Sequence, residues 1–559
     1  MDKKKLLQIS LFCIIIASAI FLRVLYMNGD LWYDEACSWV TAKQAFPFGI
    51  MDNLLNVDLQ HTPLYFFLLH FWIKIFGDGE FAMRSLSLIF GIASVPLAYT
   101  VAKKIIPQLQ AFFLAAVVAV SPLLVLFSVE IRMYPLVVFL VLLSLNYLID
   151  FEQKEDIKSL IKLIAVNVLI PYTLVGGILY NFSVLICYSV YLFKNKKDAF
   201  LKYIKGAGVE ILALVPYFVL VSYYAKMRSV FVISHEGDLQ FFHLVDVIRN
   251  FFGSSIVENI YWPSTEPYSI TFLFTLLVIV PCVYFVIGFI KGFKKSDGFL
   301  KLLYQIFLLS FGLSVLFSLF RVNVFTVRYI LYLLPPIVLL SLSGLFKNFS
   351  DKHCKIFLSL FLASSLIFTW YNASRFEHLK TIAFKTVKLE ADRLNLTSDD
   401  VVIMPFGSDA PYYFRALSAP RVFNSDFHKE VRNPYNSHYY DKSQQKDIII
   451  RPALIIYHSL MADKIFSRSF TDYFVSNVNA TVPSGRYVLV AMYGGDANFI
   501  TDIDSLRKSV PNEYEVPKRK LEIMFKKYLC DVAALLSVDF DAVDSFKQDN
   551  YTFFLYKKR

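Results

Sequence analysis

Long apolar runs are the feature of this sequence that most restricts its fold. They recur through the first two thirds of the chain, as in LLQISLFCIIIASAIFLRVLY and ITFLFTLLVIVPCVYFVIGFI. At about 16 to 22 residues each, they are long enough for an α-helix to cross a bilayer. Only 18% of the residues are charged and 56% are hydrophobic, whereas roughly a quarter of a soluble protein is charged. We therefore predict a polytopic α-helical membrane protein.

Lysine clusters between the runs indicate how the predicted helices are oriented. Lys3–Lys5, Lys103–Lys104 and the clusters within 194–197 and 291–295 have the distribution of cytoplasmic loops. The first run lacks a small-residue cleavage site, so we expect it to be retained as a span. With the clusters inside, the N-terminus is cytoplasmic and the chain after about residue 372 is exoplasmic. The eleven predicted spans are 6–26, 83–102, 111–127, 135–149, 159–176, 178–193, 203–222, 269–290, 301–320, 329–346 and 355–371.

The segment HTPLYFFLLHFWIKIFG (61–77) is predicted to lie in the outer membrane interface. It is apolar but short, and it contains His70 and Lys74. If it crossed the bilayer, every later lysine cluster would change sides. We therefore expect an interfacial helix within the first outer loop.

The last third of the chain has a different pattern. Short apolar runs typical of strands (DVVIMPF, ALIIYHS and RYVLVAMY) alternate with helical stretches such as 380–394. This pattern predicts a small α/β domain. The chain would then consist of a membrane domain, 1–371, and an exoplasmic α/β domain, 372–559.

Charge and cysteine content restrict the class of function. The net charge of +11 is concentrated in the lysine clusters, without the interleaved aromatic residues that stack on bases, so no nucleic-acid partner is predicted. The six cysteines have no paired spacing, which indicates neither a zinc site nor a disulfide framework. Membrane lipids are the expected surroundings.

The predicted topology places several ionisable residues on the outer side of the membrane. They occur in LWYDEACSWV, HTPLY, SVEIRMYP and VRYILYLLPP, and are Asp34, Glu35, His61, Glu130, Arg132 and Arg328. Ionisable groups at the ends of spans are candidates for a functional site. Each also has a simpler interpretation. The acidic pair could be a solvated loop or could include a helix cap, Glu130 and Arg132 could form a structural salt bridge or snorkel, and Arg328 could contact lipid headgroups.

Taken together, these residue types suit the attack of a hydroxyl group on a phosphate-activated carbon. A carboxylate can accept the proton of the attacking hydroxyl. Arginine can bind the departing phosphate in a bidentate manner. The membrane setting suggests that the phosphate belongs to a lipid. The spacing of the residues permits this chemistry without establishing it.

The ordered motifs resemble glycosyltransferase family 39. They are LWYDEACSW, HTPLYFFLLHFW, MRSLSLIFGIASVPLAY, SPLLVLFSVEIRMYPL and VRYILYLLPPIVLLSLSGL, and the resemblance covers about residues 6–350. The family includes protein O-mannosyltransferases, is similar to the aminoarabinose transferase of lipid A, and belongs to the GT-C superfamily. The resemblance implies a GT-C fold with about eleven spans, interfacial helices in the first outer loop, and a polyprenyl-phosphate sugar donor used on the outer leaflet.

The resemblance also implies roles for individual residues. Asp34 matches the catalytic base, and Glu35 completes that motif. Glu130 matches an acid that organises the site. Arg132, Arg328 and His61 match positions near the donor phosphate. The supporting residues are Tyr33, Pro63, Tyr65, Tyr134 and Tyr329.

Two positions depart from the family pattern. Thr62 replaces the first proline of a His-Pro-Pro-Leu motif, and Leu174 stands where many relatives have histidine. The second departure weakens the case for a bound divalent metal, so no cofactor is predicted with certainty and a metal stays open.

We expect an inverting glycosyltransferase of the cell (plasma or inner) membrane. Its acceptor would be an exoplasmic hydroxyl on a protein, a lipid or a surface glycan, and the sugar is not identified. Two other functions stay open. A transporter of lipid-linked sugars would be expected to show repeat symmetry and broken helices near the midplane. A noncatalytic glycolipid-binding protein would keep its role without Asp34.

Overall fold

The structure is a computed structural model, and its contacts divide the chain into two units. One unit comprises Met1–Gly29, Ala45–Leu54 and Leu59–Leu379, and the other comprises Asp30–Gln44, Leu55–Asp58 and Lys380–Arg559. The described residues are 3–27, 29, 31, 33–56, 61–230, 247, 251, 268–319, 325–379, 384–397, 399–404, 421–424, 437–441, 446–450, 479, 482–493, 536–548 and 551–559.

Helices make up most of the described chain. Their bounds are α1 Lys3–Val24, α2 Tyr33–Lys43, α3 Phe48–Asn56, α4 Leu64–Phe76, α5 Glu80–Lys103, α6 Gln108–Val120, α7 Pro122–Ser128, α8 Tyr134–Lys154, α9 Ile157–Thr173, α10 Ile178–Asn195, α11 Lys197–Ala213, α12 Val215–Val230, α13 Tyr268–Lys295, α14 Gly298–Leu319, α15 Leu334–Asn348, α16 Asp351–Leu379 and α17 Phe384–Arg393. Among the described residues, seven helices are long and apolar enough to cross a membrane, or up to nine if each bent pair is one span. The prediction of a polytopic helical membrane protein is confirmed.

Two of the predicted spans are broken helices. The predicted span 111–127 consists of α6 and α7, which are bent by 53°, and the span 203–222 consists of α11 and α12, bent by 47°. Pro122 begins α7 and Pro216 is the second residue of α12. Proline has no backbone N–H and clashes with the preceding turn, so the helix cannot continue straight through it.

The break between α6 and α7 is capped by side chains from other helices. Arg23 of α1, which is completely buried, donates to the carbonyls of Ala119 at 2.8 Å and Val118 at 3.1 Å. Thr369 of α16 donates to the carbonyl of Val120 at 2.9 Å. These carbonyls form the unsatisfied C-terminal end of α6. The caps therefore fix the direction in which α7 leaves α6.

Within the segment 61–77, residues Leu64–Phe76 form the helix α4, which has 13 residues. At 1.5 Å per residue it is about 20 Å long, too short to cross a hydrocarbon layer of about 30 Å. Its position in the interface stays a prediction.

The second unit contains a five-stranded sheet with the order β2–β1–β5–β7–β6, and a separate β3–β4 pair. Strand β1 is parallel to β2 and β5, whereas β7 is antiparallel to β5 and β6. Helix α17 packs on the sheet through Val387 and Ala391. The strands are β1 Val401–Met404, β2 Arg421–Asn424, β3 Ser437–Asp441, β4 Lys446–Ile450, β5 Tyr487–Tyr493, β6 Phe540–Gln548 and β7 Tyr551–Lys558.

Most of the sequence expectations for this region are confirmed. The strands predicted at 400–406 and 486–493 correspond to β1 and β5, and the helix predicted at 380–394 corresponds to α17. The strand predicted at 453–459 lies outside the described residues. The C-terminal β6–β7 pair was missed. The exposed positions of β6 are mostly polar, so its local pattern gave no strong strand signal, whereas the buried apolar run TFFLY (552–556) of β7 was a signal that the sequence offered.

Candidate active site

A buried turn between α7 and α8 carries the second acidic motif. Glu130 and Arg132 lie between Ser128, the last residue of α7, and Tyr134, the first residue of α8. Glu130 is 1% exposed and Arg132 is 3% exposed. The backbone N–H of Arg132 donates to the Glu130 carbonyl at 2.7 Å. Burial this deep does not fit residues that snorkel to the membrane surface, and it is costly unless the charged groups are hydrogen-bonded.

The structure brings His61 against Arg132. Nη2 of Arg132 lies 2.7 Å from Nε2 of His61, and both side chains are buried. A guanidinium group can only donate hydrogen bonds, so Nε2 must accept and the imidazole is neutral with its hydrogen on Nδ1. This contact joins two sequence-predicted phosphate-binding residues that are 71 positions apart.

Hydroxyl groups hold the main chain of both residues. Ser87 of α5 donates to the carbonyl of Arg132 at 2.9 Å, and Tyr65 of α4 lies 2.8 Å from the Ser87 hydroxyl. Tyr224 of α12 donates to the carbonyl of His61 at 2.8 Å. Tyr65 was predicted as a supporting residue, whereas Ser87 and Tyr224 were not.

Two tyrosine rings lie between Arg132 and Arg328. The Arg132 guanidinium lies 5.8 Å from the centroid of the Tyr134 ring, and that ring lies 6.5 Å from the ring of Tyr329. The Arg328 guanidinium in turn lies 5.1 Å from the Tyr329 ring. Cations at such distances from aromatic faces are attracted by the ring quadrupole. The four residues form one continuous row.

The backbone around Arg328 differs from the prediction. The span predicted at 329–346 would have placed Arg328 at the head of a helix. Instead Arg328 is in a turn, which is followed by a 3-10 turn at Leu331–Leu333 and then by α15 from Leu334. Pro335 and Pro336 are suited to the first turn of a helix, where a missing N–H costs nothing, so the helix begins later than expected.

The first acidic motif begins α2. Tyr33 is the first residue of this helix, and Asp34 and Glu35 are in its first turn. Asp34 is therefore inside the helix rather than its cap, and the partial positive charge of the helix N-terminus favours both carboxylates. Asp34 is half-buried and Glu35 is completely buried, which does not fit a solvated loop. These residues belong to the second unit, whereas His61 and Arg132 belong to the first.

The two departures from the family pattern have defined places. Thr62 is completely buried, and Pro63 is the residue directly before α4. Leu174 directly follows α9 and is buried. In the described part of the chain, no three His, Cys, Asp or Glu residues lie close enough together to hold a metal ion.

The sequence of residues 60–224 matches the family described as dolichyl-phosphate-mannose-protein mannosyltransferase. This segment is therefore similar to a glycosyltransferase family. The matched segment contains His61, Pro63, Tyr65, Glu130 and Arg132. The resemblance inferred from the motifs is confirmed. No match was found among the curated proteins.

Solved structures share the fold over nearly the whole chain. ArnT from Cupriavidus metallidurans in the apo state is 11% identical, with 97% of each chain covered and a TM-score of 0.56. The same protein bound to undecaprenyl phosphate gives 11% identity, the same coverage and a TM-score of 0.54. The oligosaccharyltransferase of Archaeoglobus fulgidus, tethered with an acceptor peptide containing the NVT sequon, is 11% identical. The match covers all of this chain (100%) and 74% of that protein, with a TM-score of 0.50.

At such low identity the structural similarity shows the fold alone. The fold is that of GT-C membrane proteins, with a small C-terminal sheet. Together with the family match of residues 60–224, it confirms the prediction of a membrane glycosyltransferase at the level of family and fold.

Proposed function

We propose that this protein transfers a sugar from a polyprenyl-phosphate donor to a hydroxyl group of an exoplasmic acceptor. The observation that carries the proposal is the buried contact between Arg132 and His61 at 2.7 Å, beside the buried Glu130. A guanidinium held by a neutral imidazole keeps its full positive charge. Its other N–H groups suit an anion such as a phosphate. The similar ArnT structure bound to undecaprenyl phosphate supports a lipid as the carrier of that phosphate.

The leaving group explains why several cations are needed. A sugar linked to a polyprenyl phosphate is a phosphodiester with one negative charge, and cleavage of its C–O bond leaves a monoester with additional charge. Arg132 and Arg328 would stabilise that charge as it develops. The stabilisation is stronger where water is excluded, as around the buried Arg132.

Asp34 is the proposed base. It would remove the proton of the acceptor hydroxyl while the oxygen attacks the anomeric carbon, which inverts in a single displacement. Exposure favours Asp34 over its neighbour, because Asp34 is only half-buried whereas Glu35 is 0% exposed and is out of reach of an incoming acceptor. Glu35 and Glu130 would organise the site.

The topology belongs to the same proposal. The donor would enter from the outer leaflet, and the acceptor would approach from the exoplasmic side, where we place the domain 372–559. The N-terminus would be cytoplasmic. A protein, a lipid or a surface glycan could supply the acceptor hydroxyl.

The test uses purified protein in nanodiscs with a panel of radiolabelled polyprenyl-phosphate sugars, with and without cell-envelope acceptor. Wild type is compared with Asp34→Asn, and with Asp52→Asn as a control at an exposed acid in α3. We expect sugar release by wild type and the control, and its loss in Asp34→Asn. Equal release by all three would remove Asp34 as the base.

The same purified protein, in nanodiscs and in liposomes, separates the other two functions. Donor binding without turnover under every acceptor condition would favour a noncatalytic glycolipid-binding protein. Movement of the intact donor across a liposome membrane, without cleavage, would favour a transporter.

A further inference from the structure

We propose that Ser87 and Tyr224, neither of which was predicted as a site residue, are positioning residues that hold the Arg132–His61 contact by the main chain. This inference rests on the proposed role of Arg132 and His61 in binding the donor phosphate. Each hydroxyl donates to the carbonyl of one of the two residues, at 2.9 Å for Ser87 to Arg132 and 2.8 Å for Tyr224 to His61.

The Arg132 side is held by two hydroxyl groups in series. The Ser87 hydroxyl has one hydrogen, which it donates to the carbonyl of Arg132. In the 2.8 Å contact between Ser87 and Tyr65, the Tyr65 hydroxyl must therefore be the donor. Both side chains are 0% exposed, and hydrogen bonds in series polarise one another in a low-dielectric interior. This chain links α4 and α5 to the turn that carries Arg132.

The His61 side is held from α12. Tyr224 is 8% exposed, and its hydroxyl is closer to the carbonyl of His61, at 2.8 Å, than to that of Leu54, at 3.2 Å. Tyr217, two helical turns earlier, donates to the carbonyl of Val175 at 2.7 Å. Residues seven apart lie on the same face of a helix. One face of α12 therefore presents two tyrosine hydroxyls to main-chain carbonyls.

These anchors matter because neither His61 nor Arg132 is in a helix. His61 lies three residues before the start of α4, and Arg132 is in the turn between α7 and α8. A long arginine side chain loses conformational entropy when it is fixed on a phosphate. Less entropy is lost on binding if the main chain of Arg132 and its imidazole partner are already held before the sugar donor binds. The expected consequence is tighter donor binding, without an effect on the acceptor.

The test compares Ser87→Ala and Tyr224→Phe with two matched controls. Ser94→Ala removes a buried hydroxyl of the same helix as Ser87, which donates to the Phe90 carbonyl of its own helix. Tyr223→Phe changes the neighbouring tyrosine, which is less buried than Tyr224. We expect the KM for the donor to rise about tenfold in Ser87→Ala and Tyr224→Phe, with the acceptor KM close to wild type. Each variant also leaves a buried carbonyl without its hydrogen-bond donor, at a cost of about 1–3 kcal/mol, so the kinetics are measured well below the thermal midpoint of each variant. The controls should keep the wild-type donor KM.

A second measurement does not depend on turnover. Binding of undecaprenyl phosphate to the protein in nanodiscs is measured for wild type, Arg132→Gln and the four variants. If wild type neither binds this lipid nor transfers sugar, the proposed function fails. If wild type binds, Arg132→Gln does not, and Ser87→Ala and Tyr224→Phe bind as tightly as wild type, the positioning role alone is overturned. The positioning role would also be overturned if the control variants bound the lipid as weakly as Ser87→Ala and Tyr224→Phe. The same holds if the loss of lipid binding in each variant merely matched its fraction of unfolded protein.

Discussion

The guanidinium of Arg23 lies 2.8 Å from the carbonyl oxygen of Ala119, at the point where α6 ends and α7 begins. The contact joins the first membrane helix to a break 96 residues later. A Cβ at Gly91 would overlap with Oγ of Ser128, so the far end of α7 is also closely packed, against α5. The seven-residue helix that leads to Glu130 and Arg132 is therefore fixed at both ends.

Replacement of Arg23 by leucine is expected to destabilise the protein. The carbonyls of Val118 and Ala119 would lose their donor within buried surroundings, at a cost of about 1–3 kcal/mol. The thermal midpoint in detergent measures this, with Val24→Ala as a control at an exposed neighbour. An unchanged midpoint for Arg23→Leu would show that the cap contributes nothing.

Replacement of His61 should depend on whether the new side chain can accept a hydrogen bond. His61→Gln places an amide oxygen near the position of Nε2, so it can still accept from Arg132. His61→Ala cannot, and the loss of one charge-assisted hydrogen bond should raise the donor KM about tenfold or more. Steady-state kinetics of the two variants provides the test. An equal rise of the donor KM in His61→Gln and His61→Ala would show that donor binding does not depend on Nε2 accepting a hydrogen bond.

Glu210→Gln is expected to destabilise the membrane unit although the two side chains have nearly the same shape. Glu210 is buried and accepts from the amides of Asn167, at 3.2 Å, and Asn181, at 3.0 Å. The Asn167 amide cannot turn over, because its oxygen accepts from Ser144 at 2.7 Å. The Asn181 amide is fixed as well, because its nitrogen also donates to the Asn167 carbonyl at 2.7 Å. With both amides fixed, a glutamine would point its own N–H group at the N–H group of one of them.

We expect a loss of about 1–3 kcal/mol for this substitution. The thermal midpoint measures it, with Asp198→Asn on the exposed side of the same helix as a control. If the thermal midpoint fell no further in Glu210→Gln than in the control, the expected clash between two N–H groups would not exist.

The N-cap of α9 predicts an effect of pH. The backbone N–H and the hydroxyl of Ser159 donate to Asp156 at 2.8 and 2.9 Å, and these bonds lower the pKa of the Asp156 carboxyl below its usual value. Because the pKa of Asp156 is lower in the folded chain than in the unfolded chain, the ionised carboxylate stabilises the folded state. This stabilisation is fully present above the pH at which an unfolded aspartate ionises. That stabilisation is lost as the pH falls through the folded pKa.

Asp156→Ala should therefore lower the thermal midpoint at neutral pH, and its difference from wild type should shrink in acid. Midpoints measured from pH 7 downward test this. A difference that grows as the pH falls would have the wrong sign for a carboxylate cap.

Much of the architecture and of the candidate site could be predicted from local sequence. Apolar runs predicted the membrane helices, and the short runs at β1 and β5 predicted two strands of the sheet, because both signals depend on consecutive residues. The motifs also identified His61 and Arg132. The bends within the predicted spans 111–127 and 203–222 were not predicted, because hydropathy counts Pro122 and Pro216 as ordinary positions, whereas each removes a backbone donor.

The sequence by itself determined that this chain is a polytopic membrane protein with ionisable motifs between its helices. The free energy of placing a segment in lipid depends mainly on the residues of that segment. The length and composition of an apolar run are therefore enough to predict a membrane helix. Only the tertiary structure decided that His61 accepts from Arg132, and that Ser87 and Tyr224 hold their carbonyls from 45 and 163 residues away. A hydroxyl that donates to a distant main-chain carbonyl leaves no local pattern, because the acceptor is the backbone, which every residue shares.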